Sequence, residues 1–163
     1  MPVISTVLVA NRGEIACRIF RTCRAAGIRT VAVHSDPDEG ALHARVADRS
    51  VRLPGATPAE TYLRGDLIVK AALASGADAV HPGYGFLSEN AGFARAVLDA
   101  GLVWIGPPPE AIEAMASKTR AKALMGIAPL TDVTDADLPV LVKAAAGGGG
   151  RGMRIVRHAR DLA

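Results

Sequence analysis

Between Gly147 and Gly152 five of six residues have no side chain, with Lys143 before the run, Arg151 inside it and Met153 after it. Such a segment cannot pack a core. Glycine loses more conformational entropy on ordering than any other residue, so a structural element gains nothing from five of them. Without Cβ atoms, however, the backbone N–H groups can close around an anion, and Lys143 and Arg151 add positive charge. Strand-like Pro139-Val140-Leu141-Val142 leads in and Ile155-Val156 follows, so the glycines sit where the tip of a hairpin would. A flexible Gly/Ser linker would not need those brackets. The residues point instead to a lid that handles phosphate.

Upstream, apolar runs alternate with helical patterns. Val3 to Ala10 is β-branched and continuously apolar, the pattern of a strand buried on both faces and hence of a parallel sheet. Asn11-Arg12-Gly13-Glu14 turns the chain into a helix on which Ile15, Ala16, Ile19, Phe20 and Cys23 share one face, with Arg18, Arg21 and Arg24 opposite and Gly27 as the stop. Thr30 to His34 is the second strand. Further strands are expected at Ser50–Leu53, Asp78–His81 and Leu102–Ile105, with helices at Thr61–Ser75, Ala91–Ala100 (capped by Ser88) and Glu110 to about Met125. The acidic stretch from Thr131 to Leu138 reads as a connector. The expectation is an α/β fold: a Rossmann-like parallel sheet over residues 1–114, then a second unit over residues 115–163 that carries the glycine loop.

Composition narrows the chemistry. A net charge of +3 without a basic run interleaved with aromatics gives no reason to expect a nucleic-acid partner. Cys17 and Cys23 lie six apart on one helix, the wrong spacing for a metal pair and the wrong geometry for a bridge, and read as small core residues of a reducing cytoplasm. No leader peptide and no apolar run of membrane-spanning length is read, so a soluble cytoplasmic protein is expected. Asp36 stands roughly where a ribose-binding acid would, but Gly13 alone occupies a loop that a dinucleotide fingerprint would fill with three glycines. His81 opens the shaped loop His81-Pro82-Gly83-Tyr84-Gly85-Phe86-Leu87-Ser88-Glu89-Asn90. With no second ligand at metal spacing, it reads as a histidine hydrogen-bonded inside that loop.

Several motifs together resemble a known family. Val9 to Ala16, Ala32 to Asp36, the His81–Asn90 loop, Trp104-Ile105-Gly106-Pro107 and Lys143 to Met153 are similar, in order, to the amino-terminal part of biotin carboxylase, most of all to that subunit of actinobacterial acyl-CoA carboxylases acting on acetyl-CoA, propionyl-CoA or related thioesters. The resemblance implies a pre-ATP-grasp domain followed by the start of an ATP-grasp domain. It implies ATP-driven carboxylation of biotin on a carrier domain, with bicarbonate as substrate, Mg2+ as cofactor and a carboxyltransferase subunit as partner. Lys118 and Lys143 carry over as ATP contacts, and Gly147, Gly148, Gly149, Gly150, Arg151 and Gly152 as the lid over the phosphates. Arg18 and Arg21 become candidates for a homo-oligomer interface, a solvated face being the alternative. The segment from Met125 to Pro139 is shorter than the family usually shows. The family's magnesium ligands and the groups that handle bicarbonate and biotin are expected beyond Ala163, so no catalytic residue or metal ligand is named here, and the 163 residues alone are expected to lack ATPase activity. Another ATP-grasp carboxylate–amine ligase and a non-catalytic assembly module stay open as alternatives.

Overall fold

The computed structural model describes residues 3–116, 121, 125–126, 133–143 and 153–161. Lys118 and the glycine run, with Arg151, lie outside the described residues. Contacts divide the chain into two units, Met1–Ile112 and Glu113–Ala163.

The first unit is built on β1 (Thr6–Val9), β2 (Arg29–His34), β3 (Arg49–Arg52), β4 (Ala79–His81) and β5 (Val103–Trp104). All neighbours pair parallel in the order β3-β2-β1-β4-β5. The α-helices among its described residues are α1 (Gly13–Ala25), α2 (Leu42–Val46), α3 (Gly65–Ser75) and α4 (Ala91–Asp99), and α5 (Pro109–Ala116) begins within it and runs past its end at Ile112. Alternation along β1 explains the layering. Leu8 joins Val31, Val33 and Val80 against Ile68 and Ala72 of α3 and Phe93 and Val97 of α4. Val7 and Val9 join Ala32 and Ala79 against Ala16, Ile19, Phe20 and Cys23 of α1. Successive side chains of a strand point to opposite faces, so a strand covered on both sides is apolar along its covered length, as Val7-Leu8-Val9 is.

The first strand begins later than its apolar run. Val3 is exposed, and the Asp78 carboxylate accepts hydrogen bonds from Ser5 N at 3.1 Å, Ser5 Oγ at 2.6 Å and Thr6 N at 3.0 Å, which fixes the entry to β1. The helix expected from Thr61 starts instead at Gly65. Thr61 and Tyr62 are fully buried, Thr61 Oγ1 donating to Thr57 O at 2.7 Å, so tertiary contacts hold these residues in a turn. The five-residue α2 was not expected at all.

Asn90, not Ser88, caps α4: its side chain accepts from Phe93 N at 2.9 Å. The Asn90→Ala variant is therefore expected to lose about 1 kcal/mol of stability, and Ser88→Ala close to none. Paired thermal or denaturant melts read the difference, and equal losses would contradict the assignment.

In the second unit β6 (Val140–Lys143) runs antiparallel to β7 (Met153–Val156), with Val140 opposite Val156 and Lys143 opposite Met153. The expected hairpin strands are thus present on either side of residues 144–152.

Candidate functional site

In an open parallel sheet, ligands lie beyond the carboxyl ends of the strands, at the point where the strand order reverses. Here that point is between β1 and β4: the chain leaves β1 toward α1 on one face and leaves β4 toward α4 on the other. The protein's own side chains bridge this crevice. Asn11, 3% exposed, donates from Nδ2 to Pro82 O at 2.9 Å and to Tyr84 O at 2.8 Å, while its Oδ1 accepts from Arg12 N at 2.9 Å. Gly83 makes this contact possible. Its φ is +68°, and a Cβ there would stand 2.7 Å from Asn11 Nδ2. His81 Nδ1 accepts from Gly83 N at 3.0 Å, so the histidine is bonded inside its loop, and burial pushes its pKa down. Tyr84, 60% exposed, donates its hydroxyl to Glu14, and that bond raises the phenol pKa.

A second cluster braces the far end of the same loop. Asp38 accepts from Tyr62 Oη at 2.6 Å, Ser35 Oγ at 3.0 Å and Arg12 Nη1 at 3.0 Å. Burial raises this carboxyl, but the bonds from Tyr62, Arg12 and Ser35 outweigh it, and Asp38 titrates below the usual carboxylate range. The Tyr62 hydroxyl also accepts from Ser35 N at 3.0 Å. Its ring, 1% exposed, has the Arg12 guanidinium 5.5 Å from its centre and stacks on Phe86 at 5.2 Å with a 19° interplanar angle. Phe86 carries φ +42°, a left-handed conformation that a bulky L-residue holds only when its surroundings impose it. Tyr62 on one side and Asn11 on the other thus fix the loop that leaves β4.

Asp36 is engaged elsewhere, its carboxylate taking Arg52 Nε at 2.7 Å and Gly55 N at 3.3 Å. Among the described residues no three His, Cys, Asp or Glu side chains converge as metal ligands would, and no helix is long and apolar enough to cross a membrane.

Of the residues singled out from the sequence, Arg18 and Arg21 lie exposed on α1; Arg18 Nη1 donates to Thr22 Oγ1 at 2.7 Å. Arg21, with Cys17, Phe20, Leu42 and Val46, lines an open groove of about 520 Å³ between α1 and α2. Lys143 is the last residue of β6, next to the segment that contains the glycines. Lys118, Gly147, Gly148, Gly149, Gly150, Arg151 and Gly152 fall outside the described residues. Asn11, Asp38 and Tyr62 were not singled out from the sequence as site residues. A polar residue closing an apolar strand is the trace Asn11 leaves there; nothing local marks Tyr62.

Residues 3–112 match the family model described as "Biotin carboxylase, N-terminal domain", and residues 112–163 match "Carbamoyl-phosphate synthase L chain, ATP binding domain". The chain is 50% identical to the mitochondrial methylcrotonoyl-CoA carboxylase subunit alpha of Oryza sativa subsp. japonica, over 98% of this chain and 24% of the relative. It is 47% identical to the biotin-dependent acyl-coenzyme A carboxylase alpha3 subunit of Mycobacterium leprae, over 98% of this chain and 29% of that protein. Among solved structures, the biotin carboxylase domain dimer of Hydrogenobacter thermophilus 2-oxoglutarate carboxylase, in complex with MgADP, ADP and bicarbonate, superposes with a TM-score of 0.87 at 44% identity, over 99% of this chain and 39% of that one. The chain spans about a quarter of the length of the curated relatives it matches. Both alignments run over 176 positions, more than the 163 residues available, so these relatives carry residues within the matched region that this chain lacks.

Proposed function

The chain belongs to the biotin carboxylase family, and from that premise we propose that it supplies the amino-terminal part of an enzyme carboxylating carrier-bound biotin with bicarbonate and ATP. Residues 1–114 form the pre-ATP-grasp domain of that enzyme, and residues 115–163 begin its ATP-grasp domain. A bicarbonate oxygen attacks the γ-phosphorus, ADP leaves, and the resulting carboxyphosphate yields phosphate and the CO₂ that N1 of biotin captures. Phosphoryl transfer of this kind needs positioning and charge neutralisation more than covalent help. Lys118 and Lys143 contact ATP, Lys143 at a phosphate, and Gly147–Gly152 with Arg151 close over the phosphates as a lid that opens for nucleotide and shuts to exclude water. Mg2+ would neutralise the phosphates when bound. Because the described residues hold no converging acids, no step is assigned to it, and its ligands are placed in the remaining length that the relatives have.

The observation that carries this reading is the β6–β7 hairpin, whose paired ends Lys143 and Met153 stand on either side of the glycine segment. The acceptor biotin comes on a carrier domain, a carboxyltransferase subunit receives the carboxyl group and selects the acyl-CoA, Arg18 and Arg21 face a second copy, and the assembly works in the cytoplasm. The test is ADP release by the full-length enzyme with bicarbonate, with and without free biotin. Release that rises with biotin supports the reading. Release indifferent to biotin rejects it in favour of another ATP-grasp ligase.

A further inference from the structure

We propose that His43 is a proton-operated latch: neutral, it fastens the short helix α2 to the sheet, and on taking up a second ring proton it releases α2 and takes apart the groove between α1 and α2. The latch stands apart from the function proposed above.

His43 is 1% exposed, on a helix of only five residues. Its Nε2 lies 3.1 Å from Val33 O. A carbonyl only accepts, so Nε2 carries the proton and the neutral ring leaves Nδ1 bare. That nitrogen is buried and has no hydrogen-bond partner among the described residues. The neutral ring tolerates this, since an unused acceptor costs less than a stranded charge. The imidazolium does not, because it buries a charge and a second N–H donor with nothing to receive it.

Among the described residues α2 has few other anchors. No side chain caps its start at Ala41, and of its five residues His43 and Ala44 are the buried ones. From α1, Arg24 Nη2 donates to Val46 O at 2.7 Å in an exposed bond. Releasing so short a segment costs far less than unfolding the sheet, so the cost of the proton is relieved locally. Release carries away Leu42 and Val46, which form one wall of the groove that Cys17, Phe20 and Arg21 line from α1.

α2 packs on α1, β2 and β3, and the charges on and beside these elements set the balance. Asp38, after β2, favours the imidazolium, whereas His34 of β2 and Arg12 ahead of α1 oppose it. Burial is the largest influence and pushes the His43 pKa down. Arg49 and Arg52 of β3 are turned to Ser75 O and Asp36, Glu14, Arg21 and Arg24 of α1 line the groove, and Arg45 of α2 is exposed. With the folded pKa below the unfolded value of about 6.5, the latch holds fully above pH ~6.5 and weakens as pH falls toward the folded pKa. Asp38 titrates below the usual carboxylate range and stays charged as this window opens.

Amide exchange in the full-length enzyme, corrected for the intrinsic effect of pH on exchange, tests the latch. Protection of residues 42–46 is expected to fall by up to about tenfold per pH unit below ~6.5, the limit for one proton, while β1 stays protected. In His43→Gln, whose amide can still donate to Val33 O but cannot take up a proton, protection at 42–46 should not depend on pH. Burial also pushes His81 down, but opening driven there would show at residues 81–85. Imidazole nitrogen shifts of the histidine-labelled parent give a reading that does not need the variant to fold. His43 should carry its proton on Nε2 alone at neutral pH, and a proton on both nitrogens only where residues 42–46 exchange faster. Protection that ignores pH in the parent, the same pH dependence in His43→Gln, or a second proton on His43 with α2 still protected each overturns the proposal.

Discussion

Replacing Lys143 by alanine in the full-length enzyme is expected to lower bicarbonate-dependent ADP release by a factor of ~100 or more. The size of the effect follows from the reaction. A phosphoryl group in transfer carries charge on all its oxygens, and a fixed ammonium at that point is worth more in a water-excluded site than in solution. Lys143 ends β6, so its backbone is set by pairing with Met153 rather than by the glycines beyond it. Arginine should restore little, because a planar fork does not occupy the place of a compact point charge. Steady-state ADP release with the ATP concentration varied is the measurement. Turnover within about twofold of the parent would remove Lys143 from the site.

The second large effect falls on stability. Truncating Tyr62 to alanine is expected to cost about 3–5 kcal/mol, the usual range for removing a large buried ring, and so to lower the melting temperature by on the order of 10 °C. Three losses combine: the stack on Phe86, the donor to Asp38 and the acceptor for Ser35 N. Tyr62→Phe isolates the hydroxyl, at about 1–3 kcal/mol, because Ser35 N would be left buried without a partner. The hydroxyl has its own pH signature. Burial, with the bond to Asp38 next, pushes the Tyr62 pKa up to about 12. The folded state therefore disfavours the phenolate, and this contribution is complete below pH ~10 and lost as pH rises toward the folded pKa. The stability gap between the parent and Tyr62→Phe should accordingly shrink from neutral pH toward pH ~12, and urea melts at several pH values read it. A gap independent of pH would mean that the hydroxyl is not held as described.

What the sequence discloses and what it hides divide by range. The central strand of the parallel sheet was readable because a strand covered on both faces leaves an apolar run, as in Val7-Leu8-Val9, and the hairpin because Lys143 and Met153 flank a glycine-rich segment. Gly27 was readable as a stop, and it takes φ +72° just beyond the end of α1. The errors came where distant residues override local preference. Thr61 and Tyr62 have helix-compatible spacing, yet Tyr62 is recruited by Asp38 and Phe86, and the helix waits until Gly65. Ser88 is a good cap by type, but Asn90 stands where its oxygen reaches Phe93 N. The Asn11 clamp spans more than seventy residues of chain, and no pattern within a window of ten or twenty could show it. The residues proposed as ATP contacts and as a phosphate lid come from the resemblance, whereas the loop braces came from the structure alone.

The central strand of the sheet is also made before the strands that cover it. β1 is covered on one edge by β2 and on the other by β4, which is translated long afterwards. Until Ala79–His81 arrives, one edge and much of both faces of an apolar strand stay open, the condition under which nascent chains pair wrongly or aggregate. Folding of this domain therefore has to wait for its fourth strand. Substitutions that weaken β4 or its Asp78 anchor to Ser5 and Thr6 should reduce soluble yield during synthesis more than they lower the melting temperature of the finished protein.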